Sequence, residues 1–479
     1  MTDPINAPGA RFDRLSGLLA VVTLLLGLML RLGLACWEQG IYYPDEIHQS
    51  FEPAHRLVFG YGFVSHEYQV GLRSWLLPGV LAGLLWMADT LGLHRPSQYL
   101  AAVHTLIALG GLSSAGAAAW LALPAGGRGG ARIAAAAVAM SAPMIYLSHR
   151  GLSESVTLPL VAWGVALVLV GRRPALGAVL LTLSTGMRLQ NGIFLAIALA
   201  QLAARRDPRT FRHASAGFVV TALAIGVLDR LTWGSWFHTP LTYLAYQVQA
   251  GGLGTINPQP PWYYLTTALT SEGLPLLLLV PLALVAGRRQ PWLLVYALLP
   301  VLAHSLVPYK QLRFIVPSFP FWAAAAGVGL AALGRRSGRE PLACLVGVTV
   351  VALSAAKVPL LTFGALGQAF VAPATRSAYD FQGGGFRLLE RAGELHDLCG
   401  LRVDNRPRPR LGGYTWLHRD VPLYAAQLDE HPDGHVNYAI GDRPLLPGET
   451  LVARDGAYLL VRLPVTGCAP DPDYHRRLN

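Results

Sequence analysis

Apolar residues recur in blocks along the chain as far as about residue 362, and most blocks approach the roughly 20 residues that a helix needs to cross hydrocarbon. The first block, 15–36, has no small-residue cleavage site after it and reads as an uncleaved first helix. Further apolar runs fall near 72–92, 98–122, 131–148, 154–171, 174–187, 190–204, 213–229, 262–286, 291–308, 314–333 and 341–362. After about 365 the pattern changes. The segment 365–479 is polar and rich in Pro, Gly and Asp, with strand-like runs at Val452–Ala453 and Tyr458–Leu463 around a turn at Gly456. Its length suffices for a small α+β domain. The pattern therefore predicts a membrane domain over 1–364 and a water-facing domain over 365–479.

Arginines orient the runs. Arg128/Arg132, Arg172/Arg173, Arg205/Arg206/Arg209/Arg212, Arg288/Arg289 and Arg335/Arg336/Arg339 occupy every second loop, as a positive-inside bias requires. Arg11 and Arg14 put the N-terminus on the same side. The loop 37–70 then lies outside, and only an odd number of crossings can separate it from the Arg128 loop. Two apolar runs stand there. The run 72–92 contains Arg73, Pro78 and Asp89, so the segment 71–92 is expected to be interfacial or re-entrant; the alternative is a full span with the Arg128 loop outside. The expected fold class is a polytopic α-helical membrane protein of about 11 spans, N-terminus in and C-terminus out.

Composition agrees and narrows the function. The chain is 53% hydrophobic and 14% charged, against about a quarter charged in soluble domains. That excludes a cytosolic enzyme, a disordered chain and a DNA-binding module. The net charge of +11 sits in short arginine clusters between apolar runs, so nucleic acid is not an expected partner. Cys36 and Cys344 lie in apolar runs. Cys399 and Cys468 lie in the tail and are a candidate disulfide, with two separate thiols as the alternative.

Ionisable residues outside the arginine clusters carry the chemistry. Loop 37–70 holds Asp45, Glu46, His48, Glu52, His55, His66 and Glu67, and its stretch Ser50–Gly60 has an apolar face at helical spacing that suits a membrane surface. Asp45 follows Pro44 and is placed to act as a general base on a hydroxyl; the competing reading is a helix N-cap. Glu46 either supports that site or is simply solvated. His48, His55 and His66 lack the spacing of a zinc site. No cofactor is expected, although a divalent ion held by Asp45 and Glu46 stays open. In later outer loops, Lys310 and Arg313 stand three apart and suit a phosphate, or they snorkel to headgroups. Arg150 and Arg188 sit at outer helix ends, where arginine also serves as an anchor. Loop 230–261 adds Trp233, Trp236, Tyr243, Tyr246 and a Gly251–Gly254 tip, fitting either an interfacial belt or a sugar-binding surface. An outer acid facing outer cations suits a substrate whose tail is in the bilayer and whose phosphate lies at the surface.

The segment Tyr43-Pro44-Asp45-Glu46-Ile47-His48-Gln49-Ser50-Phe51-Glu52-Pro53-Ala54-His55, followed by Val58-Phe59-Gly60-Tyr61-Gly62, resembles glycosyltransferase family 22, which includes GPI-anchor and N-glycan-assembly mannosyltransferases. Further motifs follow in order: Ser65-His66-Glu67-Tyr68, Arg73-Ser74-Trp75, His149–Ser155, Arg188, Asp229–Trp236 with Pro240, and Pro308–Phe314. Tyr43 stands where the family usually has His. Tyr309 and Gln311 replace the His and Glu of its lysine motif, so contacts that tune acceptor choice are expected to differ.

The resemblance implies a GT-C fold whose first outer loop carries the catalytic acid. It implies Asp45 as base of an inverting transfer, with Glu46 beside it, and Lys310, Arg313, Arg150 and Arg188 on the donor phosphate. It also implies His66, Glu67, Arg73, Trp75, Trp236, Tyr309 and Gln311 around sugar and acceptor. The donor would be a polyprenyl-phosphate-linked sugar, the acceptor a lipid or glycan, and the protein a monomer among membrane lipids. Two lysines among 38 basic residues suggest a GC-rich bacterium, hence an inner-membrane protein with a periplasmic site and tail. A transporter or flippase of lipid-linked glycans is the rival reading; it would want charges spread over both faces. A non-enzymatic scaffold would leave the Asp45–Phe51 block unexplained.

Overall fold

The computed structural model describes residues 8–171, 173–249, 258–404, 413–425, 434–469, 471 and 474. Arg172 and the Gly251–Gly254 tip lie outside them. The chain forms two compact units: Met1–Leu34 with Thr105–Ser377, and Ala35–His104 with Ala378–Asn479. Hydropathy marks a change of character near 365, but the units are discontinuous, and the first outer loop belongs with the tail.

The first unit is helical. Five helices in the described chain are long and apolar enough to cross a membrane: Arg11–Trp37, Pro96–Met140, Pro208–Trp233, Leu312–Arg336 and Glu340–Leu360. Five shorter apolar helices accompany them, among them Ser153–Leu169, Pro174–Met187 and Pro291–Leu306. The runs 98–122 and 131–148 meet at a break at Gly127, whose φ of 62° with ψ of −164° is open only to glycine. The run 262–286, expected as one helix, is two. Tyr263–Glu272 ends where Gly273 (φ 72°) turns the chain, and Leu274–Ala286 begins there. An apolar pattern does not register such a break, because apolar residues continue on both sides of it.

Small residues let these helices approach, as is usual in lipid, where apolar burial does not itself drive association. A Cβ on Gly177 would lie 2.7 Å from the Gly164 carbonyl oxygen, so the Ser153–Leu169 and Pro174–Met187 helices touch backbone to backbone. Arg31, not singled out by the sequence pattern, is fully buried one turn beyond Gly27. Its guanidinium donates to the Ala139 and Val138 carbonyls at 2.7 and 3.0 Å. These are last-turn carbonyls of Pro96–Met140, which have no partner within their own helix and attract a cation.

The second unit carries a five-stranded sheet of order β2-β1-β3-β5-β4. Its strands are β1 (Leu401–Asp404), β2 (Leu423–Ala425), β3 (Tyr438–Gly441), β4 (Thr450–Asp455) and β5 (Tyr458–Arg462). β1 is parallel to β2 and β3, β5 is antiparallel to β3, and β4 and β5 form the hairpin expected around Gly456 (φ 58°). Arg387, on helix Gly383–Gly393, pairs with Asp380 at 2.8 Å and Asp455 at 2.6 Å, fastening that helix to the end of β4. A disulfide joins Cys399 to Cys468.

The first outer loop folds in this unit as a π-helical turn, Glu46–Phe51, a helix, Glu52–Phe59, and a short helix, His66–Gln69; the segment 71–92 that follows forms the helix Leu76–Thr90. The face expected to meet lipid differs from expectation. Phe51 and Ala54 are buried but Leu57 is 52% exposed, and the buried side also includes Glu52 and His55. Both polar groups are buried because the tail supplies their partners. Glu52 Oε1 accepts from the Thr415 amide and Thr415 Oγ1, each at 2.7 Å, and Oε2 accepts from the Phe63 amide at 3.2 Å. His55 Nε2 meets His418 Nδ1 at 3.1 Å.

Candidate active site

Asp45 ends the Tyr42–Pro44 turn and precedes the π-helical turn Glu46–Phe51. It is half-buried, and its side chain makes no capping hydrogen bond to the helix it precedes. The N-cap reading therefore finds no support in its geometry. Glu46 is 3% exposed. Its Oε1 accepts from the amides of Tyr42 at 2.6 Å and Tyr43 at 3.1 Å. The carboxylate thus folds back on the turn before Asp45 and fixes where Asp45 leaves the backbone. His48 is held neutral; burial lowers its pKa to about 4 against the opposing pull of Asp45.

The other loop residues divide by exposure. His66 is exposed, whereas Glu67 pairs with Arg73 at 3.1 Å. Trp75 lies against Tyr68 with ring centroids 4.8 Å apart. Among the described residues no three His, Cys, Asp or Glu side chains converge on a common metal position.

The first unit collects the cations. Glu154, in the first turn of Ser153–Leu169, is 1% exposed and is shared by Arg188 at 3.1 Å and Arg313 at 3.2 Å. Arg188 also donates to Ser153 Oγ at 3.1 Å. Gln311 Oε1 accepts from Arg313 Nε at 2.5 Å, and the Gln311 amide donates to the Tyr309 hydroxyl. Both guanidiniums lie over the Phe314 ring, at 4.9 Å for Arg188 and 5.4 Å for Arg313. Arg150 is buried above the Tyr146 ring at 4.7 Å. Lys310 is 2% exposed and donates to the Gln259 and Val307 carbonyls.

These contacts do not fit the headgroup-anchor reading of the cations. A snorkelling side chain reaches water, and none of these four does. One carboxylate shared by two guanidiniums gathers cationic donors inside the protein, a setting that suits an anion. Glu154 is not among the expected site residues; its signal is its place beside Arg150 and Ser153. Trp236, in contrast, is 50% exposed, so an aromatic belt accounts for it equally well.

A profile of the Alg9-like mannosyltransferase family matches residues 22–377, about three-quarters of the chain. The chain belongs to this family. The match stops one residue before Ala378, where the second unit resumes. Among curated relatives, GPI mannosyltransferase 3 of Yarrowia lipolytica is 30% identical over 310 residues, 62% of this chain and 59% of that one. GPI alpha-1,2-mannosyltransferase 3 of Mus musculus is 25% identical over 333 residues, 62% and 56% of the two chains. The alignments thus span less than two-thirds of either relative.

Among solved structures, ArnT from Cupriavidus metallidurans bound to undecaprenyl phosphate is similar with a TM-score of 0.64 and 14% identity, covering 95% of this chain and 98% of that one. At that identity the likeness concerns the fold, which is GT-C. This family member is thus a polytopic membrane protein of the expected class.

Proposed function

We propose that this family member is an inverting α-mannosyltransferase that takes its sugar from a polyprenyl-phosphate-linked donor and passes it to a lipid or glycan acceptor. The observation that carries the reading is the buried Glu154–Arg188–Arg313 cluster in a chain of this family. Its guanidinium donors suit the phosphate of a lipid-linked donor, and the ArnT of like fold was crystallised with a polyprenyl phosphate, undecaprenyl phosphate, bound. Arg188 and Arg313, with Arg150 and Lys310, take the donor phosphate. Asp45 is the general base. Glu46 and Gln311 are positioning residues, acting through the Tyr42–Tyr43 turn and through Arg313.

The chemistry is a displacement. Asp45 accepts the proton of the acceptor hydroxyl as its oxygen attacks the anomeric carbon. The bond from that carbon to the phosphate oxygen breaks, with oxocarbenium character at the sugar, and the electron pair leaves on the phosphate. Buried cations stabilise that charge as it develops, so no general acid is needed. His66, Glu67, Arg73, Trp75, Trp236 and Tyr309 are assigned to sugar and acceptor contacts. We place the site and tail in the periplasm and the arginine-rich loops in the cytoplasm of a bacterium. The clustering of acids in one outer loop disfavours a flippase.

Purified protein supplied with polyprenyl-phosphate mannose and membrane acceptor lipids tests the reading. Asp45→Asn should lower transfer by about 10²- to 10⁴-fold while donor binding and melting temperature stay near wild type. Lys310→Ala should weaken donor binding more than acceptor binding. Near-wild-type transfer by Asp45→Asn would remove Asp45 from the mechanism; equal effects of Lys310→Ala on both substrates would make Lys310 structural.

A further inference from the structure

The first unit has a cavity lined by residues of the arginine-rich loops that the mechanism does not use. It has a volume of about 870 Å³, and six of its lining residues are Gln201, Arg205, Asp207, Thr210, Arg289 and Trp292. Such a volume suits a bound small molecule or headgroup. The first turns of three helices, Pro174–Met187, Pro208–Trp233 and Pro291–Leu306, contribute to its wall. Helix N-termini present amide donors and partial positive charge. Those of Pro174–Met187 and Pro291–Leu306 have no side-chain cap.

Gln201 is the independent indication of a ligand. It is fully buried, and its Oε1 accepts from the Tyr296 hydroxyl at 3.1 Å. Its Nε2 has no partner among the described residues. A buried amide N–H left without an acceptor costs about 1–3 kcal/mol, unless something in the cavity supplies one. The single acid of the lining does not. Asp207 Oδ1 accepts from the Arg209 and Thr210 amides at 3.1 and 3.2 Å, and Oδ2 from Thr210 Oγ1. Both of its oxygens are turned to its own helix, where they cap the first turn and leave the arginines as the main charge of the cavity. Apart from Gln290, the rest of the described wall is apolar, with leucine, valine and proline side chains.

We infer that this cavity is a binding site for the phosphate of an anionic phospholipid headgroup, held by Arg205, Arg289 and the Gln201 amide, with the start of the acyl chains along the apolar wall. A free phosphate shares the polar chemistry but makes no use of that wall. None of its lining residues has a role in the proposed reaction.

The test uses purified full-length protein in nanodiscs of phosphatidylcholine with graded phosphatidylglycerol, read by native mass spectrometry and melting temperature. Wild type should retain phosphatidylglycerol over phosphatidylcholine. Arg205→Gln with Arg289→Gln should lower that preference about 30-fold, near the effect of two basic side chains at an anionic surface. Both arginines are exposed, so the double variant should fold. Gln201→Glu is close in shape and still accepts from Tyr296, but it puts a carboxylate where the phosphate would sit and should give a comparable loss. Equal retention of the two lipids, or an undiminished preference in the arginine double variant, would overturn the site. Protection by millimolar inorganic phosphate equal to that by phosphatidylglycerol would overturn the lipid assignment.

Discussion

Glu154 in the helical unit and Glu52 in the sheet-bearing unit are both buried glutamates, yet they are stabilised in opposite ways. Glu154 is held by two guanidiniums, and removing its charge would take away a counter-ion that the two cations share. Glu52 has only neutral donors: the Thr415 amide and hydroxyl and the Phe63 amide. Desolvation there outweighs the hydrogen bonds, and its pKa is raised above the ordinary carboxylate value. A carboxylate that organises cations sets the geometry of donors that a ligand can use. One wrapped in neutral donors serves to join chain segments.

The largest expected effect follows from the first arrangement. Glu154→Gln should cost about 3–5 kcal/mol, the usual result of removing one partner from a buried ion pair, and should abolish donor binding as the arginines lose their geometry. Melting in detergent and donor titration check this; wild-type melting in the Glu154→Gln variant would separate the cluster from stability. Glu52→Ala should cost less, about 2–3 kcal/mol, since the donors it abandons are neutral. It should act locally, raising hydrogen exchange at the Thr415 amide while the helical unit keeps its protection. A uniform loss across both units would contradict a local role.

These two glutamates also mark what can be read from the chain. Runs of apolar residues announce most of the helices, and alternation around Gly456 announces the β4–β5 hairpin, because both patterns are local. The cations Arg188, Lys310 and Arg313 are legible as charged residues in places where charge is costly. The role of Glu52 is not. Its partner Thr415 lies 363 positions away, and a helix face is judged apolar or polar without knowledge of a distant donor. For the same reason the grouping of Ala35–His104 with Ala378–Asn479 is invisible to hydropathy, which sees the loop and the tail as separated by the whole membrane domain. Arg31 looks like an interruption in an apolar run, since the carbonyls that satisfy it belong to the end of another helix.

The smallest predicted effect, and the most specific to the second unit, lies in the His55–His418 contact. His55 Nδ1 is 3.1 Å from the Tyr61 carbonyl, so Nδ1 carries the proton and donates, leaving Nε2 to accept from His418 Nδ1–H. Both rings are then neutral. Burial and the neighbouring His418 lower the His55 pKa to about 3, with the Tyr61 carbonyl opposing. Burial also lowers that of His418; the charge of Asp89 opposes it and His94 adds to it. Lowered histidine values mean that the unfolded unit binds protons first. Stability is therefore full above about 6.5 and declines as pH falls toward 3, at about 1.4 kcal/mol per pH unit for each proton concerned. Glu52, with its raised value, has the opposite slope, losing stability as pH rises above about 4.5. His48, also lowered to about 4, acts in the same sense, so between pH 6.5 and 5.5 the expected net loss is about 2–3 kcal/mol, of which His418 supplies about 1 kcal/mol, seen as earlier proteolysis of the tail at the lower pH. His418→Asn should flatten that slope, because Asn tolerates the left-handed backbone at this position (φ 47°) and its amide still donates to His55 without titrating. An unchanged slope in His418→Asn would assign the acid sensitivity to other groups.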